Sequence, residues 1–135
     1  MLISNIAKEE NYNEGDTIFK EGDKGGSLIV ILEGTVKIYK ETVSGIKNVL
    51  ASLDKNNMFG ELSIFDELPR SATAVSATKS RCIVIKTDDL VTLMNNNQSL
   101  AVNLLKQVIK TLSNRIRNTN EKLHDNIFWG ITAKL

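Results

Sequence analysis

Short apolar runs separated by turn residues fill the segment from Thr17 to Lys86, and this pattern restricts the fold most strongly. The runs read TIF, SLIVIL, TVKIYK, KNVLASL, SATAVSA and RCIVIK, and Gly, Asp and Asn stand between them. Runs of four to eight residues that are rich in Ile and Val, with turn residues between them, are typical of strands in a barrel or sandwich. The segment therefore predicts a mainly β fold.

Two details of these runs give more specific expectations. In TVKIYK, Val36 and Ile38 flank Lys37, so we expect one face of that strand to be buried and the other to be exposed. Glu33-Gly34, between SLIVIL and TVKIYK, predicts a tight hairpin turn.

After Lys86 the pattern becomes helical. Thr87 begins a Thr-Asp-Asp sequence that can cap a short helix, and Leu90, Leu93 and Met94 follow at helical spacing. The sequence NNNQS then predicts a break between this helix and the next.

A long helix is predicted from Leu100 to about Ile127, since this range contains neither Gly nor Pro. Its apolar stripe is interrupted at Thr119-Asn120. Two interpretations remain open: the stripe packs on a second copy of the chain, which we favour, or it packs back on its own barrel. The stripe consists of Leu105, Ile109, Leu112, Ile116, Leu123 and Ile127.

The composition limits the classes of function. A chain of 135 residues with 41% hydrophobic and 24% charged residues fits one globular domain. A net charge of +1 gives no general reason to bind DNA or an anionic membrane, and the N-terminus lacks the pattern of a secretory signal. The single cysteine, Cys82, reads as a packed strand residue, and the single histidine, His124, as a surface residue. We therefore predict no enzyme, no metal, no cofactor, no membrane span and a cytoplasmic location.

The stretch FGELSIFDELPRSATA, Phe59 to Ala74, carries the chemistry of a ligand site. Gly60 permits close backbone approach, and free N–H groups at a short helix after it favour an anion. Arg70 supplies a fork that fits a phosphate, and Glu61 can accept a hydrogen bond from a sugar hydroxyl. These residue types indicate a nucleotide or sugar phosphate. The alternative is that Glu61 and Arg70 only pair with each other.

The same stretch resembles the phosphate-binding cassette of the cyclic nucleotide-binding domain, found in catabolite activators, cyclic-nucleotide-dependent kinases and gated channels. The family's pattern is FGE, a few apolar residues and then PR-(S/A)-A. The opening YNEGDTIFKEGDKGGSLIVILEGTVKIYK and the helix LLKQVIKTLSNRIRNTNEKL are also similar to the family, the latter to its Crp/Fnr branch. The resemblance spans Tyr12 to Ile127.

The resemblance implies a double-stranded β-helix, or jelly-roll, barrel with a short cassette helix and a long C-terminal helix. It implies that Glu61 holds the ribose 2′-hydroxyl and that Arg70 pairs with the cyclic phosphate. Thr119 and Asn120 correspond to the pair that reaches adenine, and a buried polar pair that fixes dimer register is the competing interpretation. Because Thr119 stands at the adenine-reading position, we favour cAMP over cGMP as the ligand. The phosphate is also expected to contact the Ser71 hydroxyl and the backbone N–H groups of Gly60, Leu62 and Ala72.

We expect residues 1–135 to form a single sensor domain, with the barrel at about 12–86, helices at about 87–127 and a tail at 128–135. FWGITAKL ends the chain without a helix-turn-helix, so no direct DNA binding is expected. The first hypothesis is a cyclic-nucleotide sensor that dimerises through Leu100–Ile127 and acts on an effector protein or a missing domain. The alternatives are an interaction scaffold that binds no nucleotide and the sensory half of a transcription regulator.

Overall fold

A computed structural model describes the backbone of residues 5–61 and 68–134 and the side chains of these residues up to position 118. The chain forms two compact units, Met1–Asn96 and Asn97–Leu135, each of which is described by itself. The first unit contains the strands and a short helix, and the second is a long helix.

The strands form two antiparallel four-stranded sheets with the orders β1-β8-β3-β6 and β2-β7-β4-β5. This is the predicted mainly β, jelly-roll architecture, in which strands distant in sequence pair with each other. The strands are β1 Ala7–Tyr12, β2 Thr17–Phe19, β3 Ser27–Glu33, β4 Val36–Glu41, β5 Lys47–Leu53, β6 Met58–Phe59, β7 Thr73–Ser76 and β8 Ser80–Lys86.

The core of this unit is a cluster of aliphatic side chains, one phenylalanine and one cysteine contributed by both sheets. Val36 is buried, Lys37 is exposed and Ile38 is half-buried, so the alternation expected for β4 is confirmed. Burial raises the pKa of the Cys82 thiol, as expected of a packed cysteine. The buried cluster comprises Ile29, Ile31, Val36, Phe59, Ala74 and Cys82.

Two strands did not follow from the apolar pattern. β1 has the polar sequence AKEENY, and it is a strand because it pairs residue by residue with β8 from Ala7↔Ile85 to Tyr12↔Ser80. β6 has two residues and pairs with the centre of β3. Both are edge strands, so tertiary pairing rather than local propensity sets their conformation.

The hairpin predicted at Glu33-Gly34 is wrong. The turn exists, with φ of 96° at Gly34, but β3 and β4 belong to different sheets and the chain crosses between them there. The crossing pairs instead with the β7–β8 turn: Ala77 N donates to Thr35 O at 2.8 Å, and Thr35 N donates to the Thr78 hydroxyl at 3.0 Å. The backbone groups of Thr35 thus find their hydrogen-bond partners in the β7–β8 turn and not in a β3–β4 hairpin.

α1 begins at the predicted Thr87, whereas α2 begins two residues before the predicted Leu100 and the predicted break NNNQS narrows to Asn97. α1 spans Thr87–Asn96 and buries Leu90 and Leu93, and α2 spans Gln98–Lys134 after the break at Asn97. α2 extends beyond Ile127 to Lys134, so residues 128–134, which we expected to form a tail, are helical; a single glycine, Gly130, is tolerated within a helix. Among the described residues, no helix is both long and apolar enough to cross a membrane.

Candidate ligand-binding site

The site begins where β6 ends. Gly60 follows Phe59 with φ of 79°, a left-handed conformation that favours glycine. A Cβ at this position would lie 2.6 Å from Arg70 Nη1 and 2.9 Å from Ser27 O. The absence of a side chain at residue 60 therefore gives the arginine its space.

The guanidinium of Arg70 is held by groups from three parts of the chain. Its Nη2 donates to the backbone oxygen and to the hydroxyl of Ser27, both at 2.9 Å. Its Nη1 lies 3.5 Å from Gly60 O, a long contact. Its central carbon lies 4.2 Å from the centroid of the Phe19 ring, which is the distance of a cation–π contact.

The backbone of Arg70 is fixed by the turn between β2 and β3. Gly22 N donates to Arg70 O at 2.8 Å, and Arg70 N donates to Asp23 O at 2.7 Å. The Asp23 carboxylate closes the turn by accepting from Lys20 N at 2.9 Å. Both the main chain and the side chain of Arg70 are thus held by residues 22–27.

Charge and burial coincide at this site. Arg70 is 8% exposed and Glu61 is 2% exposed. Burial lowers the pKa of Arg70, while the negative charges of Asp23 and Glu61 act in the opposite direction and favour the guanidinium. An arginine stays protonated under such conditions. The site therefore places a buried fixed cation near a buried carboxyl group.

The structure brings together three of the predicted residues, Gly60, Glu61 and Arg70. Ala72 is buried and Ser71 is exposed at the chain's approach to β7. Leu62 and the predicted cassette helix lie outside the described residues. The side chains of Thr119 and Asn120 also lie outside them. Their predicted contacts stay predictions.

Three contributors were missed by sequence reasoning. Phe19, Asp23 and Ser27 were noted only as members of a strand, a turn and the next strand. Ser27 stands 43 positions before Arg70, so no local spacing connects the two.

The chemistry of these groups suits a ligand with both an anion and a hydroxyl. A guanidinium donates charged hydrogen bonds to a phosphate, and these bonds are stronger when the group is partly removed from water. A carboxylate accepts from hydroxyls and repels a phosphate placed directly on it. The pair therefore fits a ligand whose phosphate and hydroxyls are separated by a sugar.

Comparison with known proteins gives one family. Residues 9–97 match the model of the cyclic nucleotide-binding domain. The chain is 33% identical over 125 residues to the CRP-like cAMP-activated global transcriptional regulator of Mycobacterium tuberculosis, covering 93% of this chain and 54% of that protein. It is also 33% identical over 84 residues to the cAMP-dependent protein kinase regulatory subunit of Dictyostelium discoideum, covering 60% of this chain and 26% of that protein.

A solved structure agrees with the sequence matches. The N-terminal domain of a transcriptional regulator from Streptomyces coelicolor superposes with a TM-score of 0.70 and 34% identity, covering 88% of this chain and 80% of that chain. Our chain spans about half the length of the Mycobacterium tuberculosis regulator.

Gly60→Ala tests the close packing at the start of the site. We expect it to reduce the free energy of unfolding by at least about 1 kcal/mol more than the control Gly45→Ala, because the new methyl group overpacks Arg70 and Ser27. Gly45 has a similar φ of 84°, but no atom lies within 4 Å of its added Cβ. Gly45→Ala therefore introduces backbone strain without a steric clash. Urea unfolding of both variants makes the comparison, and equal losses would contradict the packing described here.

Proposed function

The chain belongs to the cyclic nucleotide-binding domain family, and from that premise we propose that it is a sensor that binds cAMP at Gly60–Ala72. The observation that carries the proposal is the buried pair of Arg70 and Glu61 beside a glycine that leaves room for the guanidinium. In this role Arg70 binds the cyclic phosphate and Glu61 accepts from the ribose 2′-hydroxyl. The Ser71 hydroxyl and the backbone N–H groups of Gly60, Leu62 and Ala72 complete the phosphate contacts.

The choice of cAMP over cGMP rests on two supports. The named relatives are a cAMP-activated regulator and a cAMP-dependent kinase subunit. In the sequence, Thr119 and Asn120 stand at the position that the family resemblance assigns to adenine recognition. Ser71 alone does not select the base, because a hydroxyl can serve either purine.

Calorimetric titration of the purified protein with cAMP and then cGMP tests the proposal. We expect binding to the wild type, with cAMP the tighter ligand. Arg70→Ala should weaken cAMP binding about 100-fold or more, since a buried charged hydrogen-bond pair to phosphate is lost. Glu61→Gln should weaken it as well, because a neutral amide accepts less strongly from a hydroxyl.

Matched controls lie at exposed positions on β3 and β8. Arg81 pairs with Glu9 and Glu33 at 3.1 Å, so Arg81→Ala and Glu33→Gln remove the same side-chain types away from the site. Both should leave cAMP affinity unchanged. If the wild type gives no heat and no thermal shift at millimolar cAMP or cGMP, the sensor proposal is wrong, and this result is the one the interaction-scaffold alternative predicts.

Dimerisation through α2 belongs to the same proposal. Val102, Ile109 and Ile116 recur every seven residues along the helix and are 50%, 62% and 60% exposed. Seven-residue spacing of apolar side chains is the pattern by which two helices pack along a seam. A second copy of the chain supplies the complementary seam, and ligand binding is transmitted to an effector through this helix if the ligand favours one arrangement.

Sedimentation velocity tests the dimer. The double variant Ile109→Lys/Ile116→Lys should sediment as a monomer at micromolar concentration where the wild type is a dimer, because it places charges in an apolar seam. Val43→Lys/Ile46→Lys is the control, since both residues are also exposed but lie between β4 and β5. A wild-type monomer, or equal dissociation of both variants, contradicts the proposed seam.

A second candidate function is the sensory part of a transcription regulator. It is favoured by the match to about half of the Mycobacterium tuberculosis regulator. A reading frame that continues past position 135 into a helix-turn-helix would support it, and a native protein that ends there would exclude it.

A further inference from the structure

Two residues outside the Gly60–Ala72 segment, Ser27 and Phe19, contact the guanidinium of Arg70. We infer that Ser27 and Phe19 are positioning residues, which fix the direction and rotation of the Arg70 fork before a ligand arrives. The inference deepens the proposed function and rests on it for its consequence, the affinity for a cyclic phosphate.

Ser27 fixes the rotation of the fork. Its backbone oxygen and its hydroxyl oxygen both accept from Nη2 of Arg70 at 2.9 Å. A guanidinium is planar, so two acceptors on one nitrogen determine the orientation of the plane as well as its position. The backbone oxygen would be present with any residue at position 27, whereas the second acceptor requires the serine side chain.

Phe19 contacts the same guanidinium. The guanidinium carbon lies over the ring, 4.2 Å from its centroid, which is the range of a cation–π contact. The Phe19 ring also packs on Phe59, with centroids 5.8 Å apart and planes tilted by 46°. Phe59 is the last residue of β6 and directly precedes Gly60. The Phe19 ring therefore contacts both the arginine and the strand that leads into Gly60.

This arrangement matters because arginine is a flexible side chain. An arginine that is ordered only by its ligand loses rotamer freedom on binding, and this loss weakens the complex. The contacts with Ser27 and Phe19 order the side chain in advance. Removing either contact should leave the charge of Arg70 intact while reducing its effectiveness.

Side-chain NMR of the ligand-free protein tests the positioning directly. Restricted rotation should give Arg70 resolved, slowly exchanging Nη proton signals in the wild type at low temperature. Ser27→Ala should broaden or merge these signals. The matched control is Ser52→Ala, which removes an exposed serine hydroxyl from β5 and should leave them unchanged. Resolved Arg70 signals that persist in Ser27→Ala would overturn the inference for Ser27.

Calorimetry tests the consequence for binding. Ser27→Ala should weaken cAMP affinity about three- to tenfold, the usual range for losing one acceptor of a charged hydrogen-bond group. In an Arg70→Ala background the same change should alter affinity less than about twofold, because Ser27 acts through the arginine. Additive losses would mean that Ser27 does not act through Arg70 and would overturn the inference.

Phe19→Leu tests the cation–π contact independently. We expect Arg70 signals to broaden and cAMP affinity to fall about two- to fivefold, in line with the loss of one partly buried cation–π contact. Tyr39→Leu is the control, because it removes an aromatic ring whose cation–π partner is Lys47, at 5.0 Å. Unchanged Arg70 signals in Phe19→Leu would overturn the role of Phe19.

The experiments distinguish a failure of the proposed function from a failure of the positioning inference. If the wild type binds no cyclic nucleotide, the proposed function falls, and the ligand-free NMR comparison still decides whether Ser27 and Phe19 position Arg70. If Arg70→Ala abolishes binding while Ser27→Ala and Phe19→Leu bind like the wild type, the proposed function stands and the positioning inference is wrong.

Discussion

A buried guanidinium held by Ser27, Gly60 and Phe19 is the interaction on which the rest of the site depends. Burying a cation is costly, and the cost is met here by two oxygens at 2.9 Å, an aromatic face and nearby carboxylates. These groups come from two stretches of the chain that are distant in sequence, residues 19–27 and residues 60–61. The arginine can therefore occupy this position only when the two-sheet fold has formed.

The topology explains how distant residues meet at Arg70. β2 and β3 belong to different sheets, and the turn between them crosses from one sheet to the other. The backbone of that turn forms hydrogen bonds with the backbone of Arg70 at Gly22 and Asp23. β6 pairs with β3 and delivers Gly60 next to Ser27. A strand-crossing turn and a two-residue edge strand thus build the site between them.

The sequence predicted much of this and missed the part that depends on long-range pairing. The Ile- and Val-rich runs located six of the strands, and Thr87, Leu90 and Leu93 located α1, because local periodicity carries that information. Gly60, Glu61 and Arg70 were found from their chemistry and their resemblance to a known cassette. Ser27 and Phe19 were not, because their importance arises from contacts across the fold. The wrong hairpin at Glu33-Gly34 has the same origin, since a turn sequence does not say which strands pair after it.

The measurement that tests the central claim most directly is a crystal structure of the protein grown with cAMP. Our account predicts phosphate oxygens within about 3 Å of the Arg70 guanidinium, with the contact to Ser27 retained and a ribose hydroxyl at the Glu61 carboxylate. A nucleotide bound elsewhere, or one whose phosphate is held without Arg70, would contradict it.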